Sequence, residues 1–221
     1  MKKGLLFAIV LVVIILVITA GYKKQYEAST VEGAESPFVI EKQYVDIVFD
    51  TDVSDAAIQE IQRGIATMPI DVVKGFVKNG WKVSVVTEID WDEDIYPMSA
   101  VGETDFDKAT VTVQAEPLPS GIANVYLVRT VHEMSHFADY YYGNLADKDE
   151  WIALYEANKD RYVEYEYSGV EFVSDFKDAA KYATSDRYEM FACAMKDYIL
   201  HSEYLRKNYS DVYAYFKGLL K

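Results

Sequence analysis

Residues 130–139 constrain the fold of this chain most, because they place two histidines and a glutamate in the spacing H-E-x-x-H. On an α-helix, residues four apart lie on the same face, so His132 and His136 can point at one ion. Glu133 lies about 100° further round such a helix. The preceding residues, 122–131, predict a mostly buried helix, and buried His and Glu side chains need polar partners. Any fold of this chain has to bury this helix and provide those partners.

Two neutral imidazoles and one further ligand suit Zn²⁺ with an open fourth position, and the adjacent Glu133 can take a proton from the water held there. The spacing therefore predicts one zinc ion and metal-assisted hydrolysis. The alternative is a helix whose polar side chains are satisfied within the core. Because the 221 residues include only three histidines, chance would produce this spacing in on the order of a few of a thousand such chains. That rarity favours the metal site.

A third ligand has to come from elsewhere in the chain. A metzincin would have a glycine three residues and a histidine six residues after His136, but Asp139 and Tyr142 occupy those positions. The third ligand could instead be a glutamate on a later helix, as in thermolysin-like sites. The downstream candidates are Glu150, Glu156, Glu164, Glu166, Glu171, Glu189 and Glu203.

Glu189 is favoured among these, because it lies in the first turns of a strongly apolar helix predicted over residues 188–200. An unpaired acid would be costly to bury there. Periodicity alone leaves open that Glu189 is an exposed residue near a helix N-terminus, where the helix dipole also favours an acid.

Two stretches carry a family resemblance. The motif H-E-M-S-H-F-A-D over residues 132–139, followed by K-Y-A-T-S-D-R-Y-E-M-F-A over residues 181–192, resembles the protease domain of anthrax lethal factor and the related Pro-Pro endopeptidases. In that family the H-E-x-x-H helix is followed by a tyrosine and, seven residues later, by a zinc-binding glutamate. Tyr182 and Glu189 reproduce this interval.

The resemblance implies a role for each of these residues. His132, His136 and Glu189 would bind zinc, and Glu133 would act as the general base. Tyr182 would stabilise the oxyanion through its hydroxyl group.

Four further positions carry predictions. Asp139 matches an acid that the family carries after the second histidine, and we expect it to accept an imidazole N–H; the alternative is a solvent-facing acid. Ser135 replaces a frequent glycine, which a helix tolerates. Cys193 replaces a second glutamate that the family often carries four residues after the ligand, which puts the fine tuning of the site and its activity in doubt, but not zinc binding. We expect Cys193 to be a small buried hydrophobe, and the third histidine, His201, to lie at a helix end or on the surface.

The order of periodic segments predicts the fold class. Strands are expected over residues 44–50, 81–89 and 109–115, and helices over residues 55–67 (capped by Ser54), from Pro69 to Asn79, along the H-E-x-x-H stretch, from Asp147 towards Tyr162, over 188–200 and after Ser210. Residues 102–108 look turn-rich. We expect an α+β, zincin-like fold, with a small mixed sheet packed on the active-site helix and a mainly helical C-terminal half. The strand before that helix could offer an edge to an extended peptide.

The N-terminus predicts export. Met1-Lys2-Lys3 and the apolar run 5–20 indicate a signal peptide or membrane anchor over residues 1–21, followed by a flexible tether over 22–38 and one metallopeptidase domain over 39–221. The chain would then be secreted, or anchored to the outer face of a bacterial cell membrane.

The single cysteine of the chain excludes an internal disulfide. Without residues 1–20 the formal charge moves from −14 to −16, which argues against nucleic acid as a partner.

An acidic segment over residues 90–94 surrounds Trp91 with four carboxylates. It lacks the ligand alternation and the glycine of an EF-hand, so a solvated acidic loop is favoured over a cation site.

These observations together predict an exported zinc endopeptidase that acts on a protein or peptide substrate. Two alternatives stay open. One is a surface binding module whose zinc is structural or vestigial, and the other is a cell-wall peptide amidase that uses the same metal chemistry.

Overall fold

The computed structural model describes residues 39–40, 43–49, 53–89, 101–115, 124–167 and 181–220 of the chain. The predicted signal peptide or anchor (1–21), the tether (22–38) and the acidic segment (90–94) lie outside these residues. No helix within the described ranges is both long and apolar enough to cross a membrane.

Within the described residues, three strands are followed by two helices and three more strands, and all later elements are helical. In chain order they are β1 (Val39–Ile40), β2 (Gln43–Tyr44), β3 (Asp46–Phe49), α1 (Asp55–Thr67), α2 (Ile70–Lys78), β4 (Lys82–Val86), β5 (Gly102–Asp105), β6 (Thr110–Gln114), α3 (Val125–Tyr141), a 3₁₀ turn (Leu145–Asp147), α4 (Asp149–Asn158), a second 3₁₀ turn (Tyr165–Tyr167), α5 (Arg187–Leu200), α6 (Ser202–Asn208) and α7 (Ser210–Leu219). The predicted α+β class is confirmed.

The main sheet has the strand order β3-β4-β6-β5. Strands β3, β4 and β6 are parallel, whereas β5 is antiparallel to β6; β1 and β2 form a separate antiparallel pair. Val83 pairs with Val111, and Val85 with Val113. All four side chains are fully buried, so the alternation along β4 and β6 turns one face of the sheet towards the core.

Strand β5 corrects two predictions. Residues 102–108 are not only a turn, because Gly102–Asp105 pair with Thr110–Val113 before the chain turns back. The strand before the H-E-x-x-H helix, β6, is not an edge, since β5 lies beside it. The sequence G-E-T-D has low β-propensity, and pairing with β6 outweighs that preference.

The first two helices follow the local signals. Helix α1 has the predicted bounds, and the Ala57 N–H donates to Ser54 Oγ over 3.2 Å. Helix α2 ends at Lys78, immediately before Asn79.

The predicted cap at Asp147 is wrong. Helix α4 begins after Lys148 and ends at Asn158, short of Tyr162. The Asp147 carboxylate instead accepts hydrogen bonds from Arg187 Nη2 (2.6 Å) and from the Tyr188 hydroxyl (2.7 Å) at the start of α5. Helix α6 was not predicted.

Helix α3, which carries the H-E-x-x-H motif, is fixed at its N-terminus by α1. The Glu60 carboxylate accepts hydrogen bonds from the N–H groups of Asn124 (3.0 Å) and Tyr126 (3.2 Å). These are donors that have no partner within the helix itself. The two helices also pack closely at Gly64, where a Cβ atom would lie 2.8 Å from Thr130 Cβ.

We expect Gly64→Ala to destabilise the protein. The added methyl group would push α1 from α3, which costs about 1–3 kcal/mol and exceeds the gain of about 1 kcal/mol in helix propensity. Urea unfolding measures the change. Gly218→Ala in α7 is the matched control, because a Cβ there meets nothing within 4 Å and should stabilise by about 0.5 kcal/mol. A stabilising Gly64→Ala would contradict the close packing.

Candidate metal centre

The two histidines of α3 and a carboxylate of α5 converge at one point. His132 Nε2 lies 3.3 Å from Glu189 Oε2, and His136 Nε2 lies 3.6 Å from Glu189 Oε1. One ligand atom from each residue can be chosen so that all three lie within 4.8 Å of one another. Within the described ranges, no other group of His, Cys, Asp and Glu side chains has this arrangement.

The spacing of these donor atoms fits a zinc ion. Tetrahedral ligands at bond lengths of 2.0–2.1 Å lie about 3.3–3.4 Å apart, close to the two distances between the imidazoles and the carboxylate. Glu189 Oε2 is buried and accepts no hydrogen bond from the described residues. A cation among the three side chains would provide this oxygen with a partner.

The start of α5 fixes the position of Glu189. The Asp186 side chain caps the helix and accepts hydrogen bonds from the N–H groups of Tyr188 (2.7 Å) and Glu189 (2.9 Å). Burial opposes ionisation of Glu189, but the close approach of the His132 and His136 imidazoles outweighs it and holds the pKa of Glu189 well below its usual range. The carboxylate is therefore ionised and available as a ligand.

Cys193 contacts the opposite side of the His132 ring. Its Sγ lies 3.6 Å from Nδ1, while Nε2 faces Glu189. The side chain is buried, as predicted, and burial raises the pKa of the thiol, so it stays neutral. Cys193 thus occupies the place from which an acceptor would orient His132, and a thiol is a weak acceptor.

Glu133 lies beside the cluster, with Oε1 4.0 Å from His132 Nε2. Burial raises its pKa, although the charges of His132 and His136 and a hydrogen bond from Thr104 oppose the shift. The Thr104 hydroxyl lies 2.9 Å from Glu133 Oε2 and 2.9 Å from the main-chain oxygen of Glu133. Thr104 was not predicted, because β5 itself was not recognised.

Tyr182 is partly exposed at the edge of the site. Burial of its hydroxyl, the charge of Glu189 and a hydrogen bond with Glu189 raise the pKa of Tyr182 far above its usual value. The hydroxyl therefore keeps its proton and can donate it in a hydrogen bond.

Asp139 is buried rather than solvent-facing. Its Oδ1 accepts a hydrogen bond from the Ala146 N–H over 2.7 Å. Burial opposes a raised pKa of His136, and Glu189 outweighs it, with a smaller contribution from the charge of Asp139. Within the described residues, the hydrogen bonds found for Asp139 are with the main chain after α3, and the expected bond from an imidazole is not among them.

Behind the cluster, α5 carries a buried lysine. Lys196 is 2% exposed and forms ion pairs with Glu164 and with Glu166, the latter over 2.8 Å. The next residue, Asp197, accepts a hydrogen bond from the Tyr162 hydroxyl over 2.7 Å. Periodicity predicted a helix that is apolar over most of its circumference and missed this network, whose only signal is a charged pair inside an apolar run.

Of the two positions predicted for His201, the helix end is confirmed and the surface is not. The residue ends α5, as expected, but its side chain is buried. The imidazole stacks on the Tyr165 ring, with the ring centroids 3.7 Å apart.

Comparison with solved structures supports the fold. The Pro-Pro endopeptidase from Paenibacillus alvei superposes with a TM-score of 0.55 over 78% of this chain and 96% of that chain, at 13% sequence identity. No family model and no curated protein sequence matches the chain. At this identity the likeness shows a shared fold, and the chemistry has to be argued from the side chains.

We expect Cys193→Ala to weaken zinc binding by about tenfold, because His132 loses the group that contacts Nδ1 and partners of this kind contribute about 10- to 100-fold. Competition with a chelator measures the affinity. Cys193→Ser, which keeps an acceptor, is the matched control and should retain most of the affinity. Equal affinity in the wild type and Cys193→Ala would show that the thiol does not orient the ring.

Proposed function

We propose that this protein is an exported, zinc-dependent endopeptidase. The observation that carries the proposal is the convergence of His132, His136 and Glu189 at zinc-ligand spacing, with Glu133 directly beside them. The shared fold with a Pro-Pro endopeptidase supports a peptide bond as the substrate. The same histidines and glutamates also match the resemblance to lethal factor-like peptidases.

In this proposal His132, His136 and Glu189 would hold a zinc ion, which when bound would polarise the peptide carbonyl and lower the pKa of a water molecule. Glu133 accepts the proton and passes it to the leaving amine. Its position supports this role, since Glu133 Oε1 lies 4.0 Å from His132 Nε2, beside the residues that would hold the metal. The protonated Tyr182 hydroxyl donates a hydrogen bond to the negative charge that develops on the carbonyl oxygen.

The sheet supports binding of an extended substrate. Strand β5 hydrogen-bonds to β6 on one side, and no other described strand pairs with it. Thr104 of this strand contacts the Glu133 carboxylate over 2.9 Å, so β5 runs close to the site. A peptide that adds to the other edge of β5 would bring its backbone next to the metal ligands.

Export rests on the N-terminal sequence. The basic start and the apolar run over residues 5–20 support either cleavage after a signal peptide or retention as an anchor at the outer face of a bacterial cell membrane.

The contact of Cys193 with His132 favours a second candidate function, a surface binding module. A thiol is a weaker hydrogen-bond acceptor than a carboxylate, so it orients an imidazole less strongly. Such weak orientation would be tolerated in a surface binding module whose zinc is structural or vestigial, because that zinc does not have to catalyse a reaction. A cell-wall amidase would use the same residues on another amide.

Peptide turnover by the zinc-loaded full-length chain separates these candidates. We expect cleavage of a peptide library that includes Pro-Pro sequences, loss of cleavage with a chelator, and recovery with added Zn²⁺. Glu189→Gln should lose both zinc and activity. Binding of zinc without cleavage of any peptide would support the binding module, and cleavage confined to wall peptides would support the amidase.

We expect Glu133→Ala to bind zinc like the wild type and to reduce kcat by about 10²- to 10⁴-fold, because the general base is lost while the ligands stay. Metal analysis and steady-state kinetics on the same sample measure the two effects. Zinc retention with undiminished turnover would exclude Glu133 as the base.

We expect Tyr182→Phe to lower kcat by about 10²- to 10³-fold with little change in zinc content, since one donor to the oxyanion is removed. The matched control is Tyr188→Phe. Tyr188 is similarly exposed, but its hydroxyl donates to Asp147, so its removal should leave kcat unchanged. A Tyr182→Phe protein that differs from the wild type only in zinc content would rule out the oxyanion role.

A further inference from the structure

Two residues of β5 face the carboxylate of Glu133. The Thr104 hydroxyl lies 2.9 Å from Glu133 Oε2 and equally far from the Glu133 main-chain oxygen. The latter contact ties the hydroxyl to the backbone of α3. The hydroxyl therefore bridges the carboxylate and the helix that carries it.

Gly102 lies two residues before Thr104, on the same face of the strand. A Cβ atom at Gly102 would lie 2.7 Å from Glu133 Cγ and 2.8 Å from Cδ, closer than real Cβ contacts. Any side chain at this position would have to displace the Glu133 side chain. Gly102 thus leaves the space that the carboxylate occupies.

The two contacts select one orientation of the carboxylate. Thr104 holds Oε2, while Oε1 is the oxygen that lies 4.0 Å from His132 Nε2, on the side of the metal ligands. A carboxylate without such a contact can rotate about its last torsion, which has a broad distribution. Holding one oxygen leaves the other in place to accept a proton.

We propose that Gly102 and Thr104 are positioning residues for Glu133, which together set the orientation of the general base. This inference rests on the proposed peptidase function. Neither residue touches the substrate in this role, because both act through Glu133. A hydroxyl both donates and accepts, so Thr104 can keep its contact while Glu133 holds a proton.

The kinetic test compares Thr104→Val, which removes the hydroxyl at constant shape, with Thr104→Ser, which keeps it. We expect Thr104→Val to lower kcat by about 10- to 100-fold, as displacement of a catalytic group does, with KM and zinc content unchanged. Thr104→Ser should recover most of kcat. Thr110→Val on the neighbouring strand is the matched control, because that hydroxyl donates to Lys108 O; it should leave kcat unchanged.

Gly102→Ala tests the other half of the proposal. The methyl group meets the movable end of the Glu133 side chain, so we expect a loss of kcat similar to that of Thr104→Val, with zinc binding retained. A wild-type kcat in Gly102→Ala or in Thr104→Val overturns the proposal. Equal loss in Thr104→Ser and Thr104→Val also overturns it, because the hydroxyl would then not be the group that matters.

A stability measurement decides the contact without using activity. The loss of unfolding free energy caused by Thr104→Val is compared in the wild type and in Glu133→Ala. We expect the loss to be clearly smaller in Glu133→Ala, where only the main-chain contact is left. An equal loss in both backgrounds would mean that the hydroxyl serves only the main chain, and would overturn the proposal. Failure of the wild type to cleave any peptide would refute the proposed function, and this comparison would still decide whether Thr104 holds Glu133.

Discussion

The meeting of α3 and α5 at His132, His136 and Glu189 is the interaction on which the rest of the structure depends. A buried carboxylate between two imidazoles is unfavourable unless positive charge accompanies it. The depressed pKa of Glu189 reflects this dependence on its two neighbours. A divalent cation meets the same requirement with all three side chains at once, and the donor atoms already have the separation that zinc ligands need.

The scaffold around α3 explains how this arrangement is held. Three glycines permit close approach from three sides: Gly64 of α1 against the helix backbone, Gly75 of α2 against the Tyr141 ring, and Gly102 of β5 against Glu133. A site in which ligands and base must keep fixed distances benefits from such contacts, since small displacements of catalytic groups reduce rates strongly. Glu189 comes from helix α5, whose C-terminal half is anchored by the ion pair between Lys196 and Glu166.

Much of the fold could be predicted, because its signals are local. Helix α1 with its Ser54 cap, the end of α2 and the extent of α5 follow from periodicity and capping. Strand β5 could not be found this way, since its formation depends on pairing with β6 and its residues have low strand propensity. Asp147 was misassigned for a related reason: an acid before a helix looks like a cap, but here Arg187 and Tyr188 compete for it from a distant segment.

The amino-acid sequence by itself determined which residues can act at the site. The spacing of His132, Glu133 and His136 places them on one stretch of helix, and the interval from Tyr182 to Glu189 marks the second contributor through a family resemblance. Only the tertiary structure decided what these groups contact. That Cys193 lies on the far side of the His132 ring and that Thr104 holds Glu133 depends on how α5 and β5 pack against α3. Helical spacing is a property of neighbouring residues, whereas contacts between elements depend on the whole packed core.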